Sequence, residues 1–348
     1  EPNHGGYRRH RGRSRSVSQP GRGAVSQILE GLAAGDRTAV SEALNLVDDR
    51  RPEQREAALE LLDALAQRPT PHTPYRVGIT GAPGAGKSSL LNAVVERLRD
   101  SVTGIGIIAV DPSSQRSGGA LLGDRMRLSG GARESGVFLR SMAARDRLGG
   151  LADATQASAA VLSSVFEWVF IETVGIGQSE CEVAQLVDTL VFVAQPGAGD
   201  TLQFMKAGIL ELPDLFVVNK SDTGPVAERT RSELQATLGL LGSAGEGEWQ
   251  PPVLLTSARD RQGIDALLEA MAAHQKHARQ SGQLEDRRQN GRVNFAVESL
   301  ARRYGEYGLA QIGGAQAVAQ RLAAPSERSA FALVLELGRE IESALTRR

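Results

Sequence analysis

One glycine-rich segment constrains the fold of this chain more than any other feature. Gly81–Ser88, which reads GAPGAGKS, follows a short apolar run and precedes a helical pattern that begins at Ser89. A strand, a glycine-rich loop and a helix in this order form the context that a phosphate-binding P-loop requires. The glycines let successive backbone N–H groups point at phosphate oxygens, and the helix N-terminus adds partial positive charge. We therefore predict a P-loop, with a ligand-free glycine-rich turn as the alternative.

Two side chains of this segment have specific roles in the interpretation. Lys87 would reach the β- and γ-phosphates of a nucleotide, and the Ser88 hydroxyl would bind Mg²⁺. The residues that we expect to cradle the phosphates are Gly84, Ala85, Gly86, Lys87, Ser88 and Ser89.

Composition limits the class of protein. The 348 residues, of which 41% are hydrophobic, suffice for one large domain or for one domain with helical additions. A net charge of −1 gives no global field that favours nucleic acid or a membrane, and no apolar run approaches the roughly 18 residues of a membrane span. The single cysteine, Cys181, fits a reducing compartment. We expect neither a nucleic-acid nor a membrane partner, and a bacterial cytoplasmic location in preference to the mitochondrial matrix.

The organisation along the chain divides into four parts. Residues 1–23 contain six arginines, one acid and almost no apolar residues, so we expect a disordered tail. Their composition suits a transit peptide, and equally a trimmed start or a remnant of an expression vector. We predict an N-terminal helical segment at 24–74, a P-loop domain at 75–278 and a C-terminal helical extension at 279–348.

Seven short β-rich runs alternate with helical stretches in the central part. This spacing predicts an α/β fold, a P-loop NTPase with a mainly parallel sheet and helices on both faces. In such a fold, function lies at the carboxyl ends of the strands. The seven runs are Arg76–Thr80, Gly104–Val110, Val137–Ser141, Trp168–Thr173, Thr189–Ala194, Leu215–Asn219 and Val253–Thr256.

A second motif indicates which base the nucleotide carries. Asn219-Lys220-Ser221-Asp222 ends a predicted strand, and the Asp222 carboxylate can accept from both the ring N–H and the amino group of guanine. Adenine lacks that pair of donors, so the buried polar groups would stay unpaired with it. Lys220 would pack along the base, and Ser257 and Ala258 would contact the guanine carbonyl oxygen. Alone the tetrapeptide is a common turn sequence, but downstream of a P-loop it predicts GTP and GDP as ligands.

Acidic residues after three strands or loops are candidates for metal binding and catalysis. Asp111 ends the run before Pro112 and suits Mg²⁺ or its water shell, or else caps a turn. Asp124 lies in a glycine-rich loop and could approach the metal or the attacking water, or else be a solvated aspartate. Glu172 ends another strand, and Gly175 is available to contact the γ-phosphate. No glutamine stands directly after Gly175, and Gln178 is only a candidate for positioning water.

In combination, five segments resemble the MeaB/ArgK/MMAA group of P-loop GTPases, from about Gln27 to the C-terminus. They are Ala109–Ser114, Ser117–Gly119, Leu122–Asp124, Glu172–Glu180 and Pro196–Asp200. The resemblance implies a homodimeric metallochaperone for an adenosylcobalamin-dependent acyl-CoA mutase. Members gate cofactor loading, protect the mutase from inactivation and help to eject damaged cofactor.

The resemblance also implies roles for particular residues. Lys87 and Ser88 look like the phosphate and metal residues of the family, and the acidic set around Mg²⁺ and the attacking water is then Asp111, Asp124 and Glu172. Three loops look like the switches: 112–124 resembles switch I, 173–181 switch II and Gly197 to about Lys206 switch III. Asn219–Asp222 looks like the base-specificity motif, and the C-terminal helices look like a dimerisation arm.

Two departures from the family pattern are present. Ser89 stands where many members have Thr, which we expect to be harmless. Leu139–Arg145 differs from chaperones of methylmalonyl-CoA mutase and looks closer to relatives that serve isobutyryl- or 2-hydroxyisobutyryl-CoA mutase. From the resemblance we expect the client to be one of these three mutases. The alternatives to a GTPase chaperone are a P-loop kinase of a small molecule or transport protein, which the Asn219–Asp222 motif disfavours, and a module that binds nucleotide without hydrolysis.

Three features of the C-terminal third are interpreted more simply. His274 and His277 lie three residues apart without a third ligand nearby, so we expect surface residues rather than a metal site. Glu285–Arg288 is expected to be a solvated helix face. The apolar residues between Phe295 and Ile341 need burial, either on the chain's own domain or on a partner.

Overall fold

A parallel β-sheet organises the molecule, in a computed structural model that describes residues 22–49, 51–70, 72–112, 136–144, 151–173, 179–198, 209–241, 245, 247–323 and 328–347. The strands are β1 Tyr75–Gly81, β2 Ile105–Pro112, β3 Val137–Ala144, β4 Trp168–Glu172, β5 Thr189–Ala194, β6 Leu215–Val218 and β7 Val253–Leu255. Their order is β3-β2-β4-β1-β5-β6-β7, and all neighbours pair in parallel. The predicted α/β P-loop class is confirmed, and each predicted strand end lies within three residues of the observed one.

Helices cover both faces of this sheet. They are α1 Arg22–Ala33, α2 Arg37–Asp48, α3 Pro52–Gln67, α4 Lys87–Leu98, α5 Leu151–Ser163, α6 Ser179–Ala184, α7 Pro225–Leu241, α8 Ile264–Gln280, α9 Gln283–Ala310, α10 Gly314–Ala323 and α11 Ala330–Thr346. Side chains of α4 and α8 pack on one face, and those of α1–α3, α5, α6 and α7 pack on the other. The strands are apolar on both sides because each face is covered, and β5 is buried at every position.

The position of β1 determines where a ligand can bind. β1 lies in the middle of the sheet, with β4 on one side and β5 on the other. The chain leaves β1 towards β2 and later crosses back from β4 to β5, so the strand order reverses beside β1. In open parallel sheets, ligands bind at the carboxyl edge next to such a reversal.

The last three helices pack against one another. Leu300 of α9, Leu322 of α10 and both Leu337 and Ile341 of α11 belong to one buried cluster. α9 bends at Gly305, whose φ of 67° and ψ of −179° are not helical. Much of the apolar surface of these helices is thus buried within the C-terminal region itself; a partner surface stays a prediction.

Ion pairs join α9 to the edge of the sheet opposite the P-loop. Asp188, which directly precedes β5, accepts from Arg76 of β1 at 3.0 Å and from Arg288 of α9 at 2.8 Å. Arg287 donates to Asp214, which directly precedes β6, at 2.8 Å. The interpretation of Glu285–Arg288 as a solvated helix face is therefore wrong for its two arginines, because both serve as anchors.

His274 is part of the same polar edge. Its side chain is buried, its Nδ1 lies 2.7 Å from the Thr189 hydroxyl, and its Nε2 lies 3.3 Å from Asp214. Trp249 packs edge-on against its ring and also contacts His277. The expectation that His274 is a surface residue is wrong, because partners from distant strands and loops bury its ring.

Within the described ranges, no helix is both long and apolar enough to cross a membrane.

Candidate functional site

The glycine-rich segment connects the carboxyl end of β1 to the first turn of α4, as the sequence predicts for a P-loop. Gly81 has a φ of 134°, and a Cβ there would lie 2.0 Å from the Val193 carbonyl oxygen of β5. Only glycine allows this close approach of the two backbones. The loop is therefore held against the centre of the sheet at its first residue.

Gly86 fixes the other end of the loop. Its φ is 88°, and a Cβ there would lie 2.5 Å from the Asn219 side-chain nitrogen. That nitrogen donates to the Ala85 carbonyl at 3.0 Å and to the Gly86 carbonyl at 3.3 Å. The loop after β6 is thus joined directly to the P-loop, which explains why residue 86 has no side chain.

Lys87 lies inside the loop that it terminates. Its side chain is 7% exposed, and its ammonium donates to the Gly81 carbonyl at 2.7 Å and to the Ala82 carbonyl at 3.1 Å. The carbonyl oxygens hold the charge in place, at the N-terminus of α4. A buried ammonium at a helix N-terminus is an arrangement suited to a polyphosphate.

Ser88 and Glu172 form a short hydrogen bond. The Ser88 hydroxyl donates to the Glu172 Oε1 at 2.5 Å, and Glu172 is 7% exposed at the end of β4. Hydrogen bonds to carboxylates are shorter and stronger than neutral ones. The sequence predicts both residues as metal ligands, and the structure brings them together.

The base-reading motif forms a hydrogen-bonded unit with the loop after β7. Asn219 is buried, and its side-chain oxygen accepts from the Ala258 backbone N–H at 3.2 Å and from the Thr256 hydroxyl at 3.3 Å. Lys220 has a φ of 60° and donates to the Gly84 carbonyl at 2.7 Å. A left-handed conformation is uncommon for a residue with a side chain. The loop that contains Lys220 maintains this conformation, because it bonds to the P-loop on one side and to the loop after β7 on the other.

The Asp222 carboxylate is held by two donors. The buried Ser257 hydroxyl donates to one oxygen at 2.8 Å, and Arg259 pairs with the other at 3.1 Å. Hydrogen bonding to Asp260 and the charge of Asp222 raise the pKa of Arg259. The sequence analysis did not predict the contact between Arg259 and Asp222, although Arg259 directly follows Ser257 and Ala258, which it did include.

Four other predicted site residues are either exposed or lie partly or wholly outside the described part of the chain. Ser89 is exposed on α4. The backbone of Asp111 pairs with Ala143 at the end of β2, but its side chain lies outside the described part of the chain, as do Asp124 and Gly175. The switch-like loops at 112–124, 173–181 and 197–206 also lie largely outside the described residues.

The described residues fit a magnesium nucleotide by the chemistry of their donor atoms. A hydroxyl and a carboxylate 2.5 Å apart offer the hard oxygen ligands that Mg²⁺ prefers. Lys87 offers a buried cation for phosphate oxygens, and Asp222 offers a carboxylate for base N–H groups. No cluster of three or more His, Cys, Asp or Glu side chains occurs in the described part of the chain. Ser88 and Glu172 therefore leave most of the metal coordination to water, phosphate or residues outside that part, which is usual for Mg²⁺.

Comparison with known proteins gives consistent results. The model of a family described as methylmalonyl-CoA mutase-associated GTPase MeaB matches residues 40–304. A protein of Pyrococcus abyssi that is named as a candidate GTPase is 39% identical over 278 residues, covering 79% of this chain and 83% of its own length. The mitochondrial methylmalonic aciduria type A homolog of Mus musculus is 36% identical over 277 residues, covering 76% of this chain and 66% of that protein.

A solved structure supports the fold over almost the whole chain. A crystal structure described as an LAO/AO transport system kinase superimposes with a TM-score of 0.65 and 26% sequence identity. The match covers 94% of this chain and 99% of the other. The N-terminal and C-terminal helices are therefore part of a shared architecture and not additions peculiar to this chain.

Proposed function

The chain belongs to the MeaB family of methylmalonyl-CoA mutase-associated GTPases, and from this premise we propose that its GTPase activity controls an adenosylcobalamin-dependent acyl-CoA mutase. In this proposal the chain is a GTP-dependent chaperone. It assists cofactor loading and protects or reactivates the mutase.

The observation that carries the nucleotide part of the proposal is the link between the phosphate loop and the base loop. Asn219 bonds to the Ala85 carbonyl on one side and to the Ala258 N–H on the other. The groups suited to phosphate and those suited to guanine are thus held at a fixed separation by one buried side chain. A site whose two halves are already connected needs little rearrangement when GTP binds.

We propose specific roles for the residues of this site. Lys87 would bind the β- and γ-phosphates, and Ser88 and Glu172 would hold Mg²⁺ or the water bound to it. Bound Mg²⁺ would stabilise the negative charge that develops during phosphoryl transfer. Asp111 and Asp124 complete the proposed acidic set, and Gly175 is proposed to contact the γ-phosphate.

The same proposal accounts for switching. Two of the segments that resemble switches, 112–124 and 173–181, connect to the ends of β2 and β4, where Asp111 and Glu172 lie, and the third follows β5. Contacts to the γ-phosphate would hold these segments in one arrangement, and hydrolysis would release them. We expect slow intrinsic turnover, since neither a glutamine directly after Gly175 nor an arginine finger can be identified in the sequence.

The proposed partners are a mutase and a second copy of the chain. The family description names methylmalonyl-CoA mutase, and isobutyryl- and 2-hydroxyisobutyryl-CoA mutases are the other proposed clients. We propose that helices in 279–348 form a homodimer. A reducing compartment such as the bacterial cytoplasm suits a chain whose one cysteine, Cys181, is exposed and has no second cysteine to pair with.

Two experiments test this proposal. Calorimetry with GTP, GDP and ATP in Mg²⁺ should give tight binding of the guanine nucleotides alone, and Lys87→Ala should abolish it. Purified mutases of the three classes should then be captured by the chain, with a difference between GTP and GDP for the true client. Equal capture of every mutase in both nucleotide states would contradict the switch.

The kinase alternative is tested with the same material. A protein similar to this chain is described as a transport system kinase. If the chain were a kinase, labelled γ-phosphate would appear on a molecule other than water. We expect all of the label as inorganic phosphate, since the Asp222 site favours guanine and kinases of this kind usually use ATP.

A further inference from the structure

Two buried threonines form a hydrogen bond beside the proposed metal site. The Thr173 hydroxyl donates to the Thr80 hydroxyl at 2.9 Å, and the two residues are 2% and 0% exposed. Thr80 is the residue of β1 that directly precedes the glycine-rich loop, and Thr173 directly follows Glu172, the last residue of β4. The bond therefore joins the strand that carries the P-loop to the residue next to a proposed metal ligand.

This threonine pair lies on the face of the sheet opposite the Ser88–Glu172 bond. Ile171 of β4 packs with α5 and α6, and because side chains alternate along a strand, Thr173 points to that same face. Thr173 also lines a cavity between α5, α6 and α9. Glu172 points to the other face, where α4 supplies Ser88. The end of β4 is thus held from both faces of the sheet through neighbouring residues.

Glu172 is the last position at which β4 pairs with its neighbours. It lies opposite Ile79 of β1 and Ala109 of β2, and both ladders end there. The next described contacts along the chain come from Thr173, whose backbone N–H donates to the Ile79 carbonyl at 3.0 Å. Ends of secondary-structure elements open more easily than their centres. The position of the Glu172 side chain therefore depends on the contacts of Thr173.

Burial makes the bond between the two hydroxyls difficult to replace. A polar group that is shielded from water loses free energy when its hydrogen-bond partner is removed, and such groups in native proteins are nearly always paired. Without an acceptor at residue 80, the Thr173 side chain would have to turn or its backbone would have to shift. Because Glu172 is the adjacent residue, a shift of the backbone would move its carboxylate away from Ser88.

We propose that Thr80 and Thr173 are positioning residues for GTP hydrolysis. Their hydrogen bond fixes the end of β4, and so holds the Glu172 carboxylate at the Ser88 hydroxyl, where Mg²⁺ is proposed to bind. This inference rests on the proposed role of Glu172. Replacing a residue that orients a metal ligand typically changes metal affinity or activity by about 10–100-fold.

Valine and serine variants separate the hydrogen bond from the packing. Thr80→Val and Thr173→Val keep the branched shape of the side chain and remove one hydroxyl each, whereas Thr80→Ser and Thr173→Ser keep the hydroxyl. Thr155→Val is the matched control. Thr155 is 4% exposed and lines the same cavity as Thr173, and its hydroxyl has no hydrogen-bond partner among the described residues.

Metal affinity is measured on the full chain saturated with GDP, from the EPR signal of free Mn²⁺, which prefers the same oxygen ligands as Mg²⁺. We expect both valine variants to bind Mn²⁺ about tenfold more weakly than the parent protein, and the serine variants and Thr155→Val to bind it as the parent does. The Mg²⁺ concentration for half-maximal GTP hydrolysis should rise by the same factor. Affinity for GDP without a divalent ion should not change, because Lys87 and the base loop are intact.

The double variant Thr80→Val/Thr173→Val tests whether the two hydroxyls act as one unit. If both act through their shared hydrogen bond, the double variant binds Mn²⁺ no more weakly than the weaker of the two single variants. If Thr80→Val does not fold, Thr173→Val gives the decision, since it removes the donor and leaves none without an acceptor.

Three results would overturn the inference. One is parent-like Mn²⁺ affinity in the valine variants, even if their melting temperatures fall. Another is an equal loss of affinity in Thr155→Val, and the third is a double variant in which the two single losses multiply. Glu172→Gln tests the premise separately. If Glu172→Gln binds Mn²⁺ as the parent does, the proposed role of Glu172 is wrong; if it binds weakly while Thr80→Val and Thr173→Val do not, only the positioning role is wrong.

Discussion

The Ser88 hydroxyl donates a 2.5 Å hydrogen bond to the Glu172 carboxylate and so joins the first turn of α4 to the end of β4. Both groups are suited to the same metal ion. The bond keeps the hydroxyl at the carboxyl edge of the sheet, where β4 ends. Bound Mg²⁺ would replace this hydrogen bond, and the two oxygens that would hold it are already neighbours.

Glu172→Gln tests this arrangement. The amide preserves the shape of the side chain but removes the negative charge, so the Ser88 bond weakens and the affinity for Mg²⁺ falls. We expect kcat for GTP to fall about 100-fold, which corresponds to about 2.7 kcal/mol. Glu167→Gln is the control, because the Glu167 carboxylate accepts from Thr103 in exposed hydrogen bonds. Hydrolysis by Glu172→Gln at the rate of the parent protein, across a magnesium titration, would rule out the proposed role.

Asp222→Asn tests base recognition. The Asp222 carboxylate can accept hydrogen bonds from the ring N–H and the amino group of guanine. The amide of asparagine instead presents an N–H donor to the base. The variant should therefore prefer xanthine, which has an oxygen where guanine has the amino group. We expect GTP affinity to fall about 100-fold or more while xanthosine triphosphate gains. Asp260→Asn is a control on the neighbouring loop after β7, since both Asp260 carboxylate oxygens bond to Arg259. Competition assays with both nucleotides measure the change, and an unaltered preference for GTP would exclude Asp222 as the base reader.

The parts of the fold that the sequence predicts well depend on local signals. The P-loop is encoded by glycines that the backbone requires at Gly81 and Gly86, where a Cβ would collide with Val193 or Asn219. The strands are encoded by apolar runs between turn residues, because both faces of the sheet are buried. These signals need no knowledge of distant partners.

The parts that the sequence predicts wrongly depend on distant partners. His274 is buried because Thr189 and Asp214, which precede it by 85 and 60 positions, both bond to its ring. Arg288 reaches Asp188, which lies 100 positions earlier. A charged residue on a predicted helix has the same local pattern whether it faces water or a buried carboxylate, so spacing alone could not identify these contacts. Arg259 belongs to the same class, because its contact with Asp222 spans two loops.

Asp188 makes the stability of the chain dependent on pH. Burial would raise the pKa of Asp188, but Arg76 and Arg288 outweigh burial and lower it from 3.8 to about 2. A carboxyl whose pKa is lower in the folded state stabilises the fold above its unfolded pKa. This contribution, about 2 kcal/mol, is lost as the pH falls from about 4 to about 2. Asp214, whose pKa burial would raise but His274 and Arg287 lower, acts in the same direction.

Urea unfolding at pH 7, 4 and 2.5 measures this effect. Asp188→Asn should be less stable at pH 7 by about 3–5 kcal/mol, because it leaves two guanidinium groups without their carboxylate. Its stability should also fall less steeply below pH 4 than that of the parent. Asp100→Asn is the control, since that side chain is 88% exposed. If the parent and Asp188→Asn lose stability in parallel below pH 4, the ion pairs do not set the acid response.

Gly291→Ala tests the contact between α9 and the segment after α6. A Cβ at residue 291 would lie 2.1 Å from the Gln185 carbonyl oxygen, so the helix has to move away from the sheet. We expect the free energy of unfolding to fall by about 2 kcal/mol or more, because a backbone carbonyl, unlike a flexible side chain, cannot rotate out of contact. The C-terminal helices should also be cleaved by a protease at an earlier time. Gly239→Ala is the matched control within helix α7, where a Cβ meets nothing within 4 Å. Because alanine has a higher helix propensity than glycine, Gly239→Ala should raise the free energy of unfolding by about 0.5–1 kcal/mol. Thermal unfolding of both variants decides the matter, and equal stabilisation by the two substitutions would show that α9 is not in close contact with Gln185.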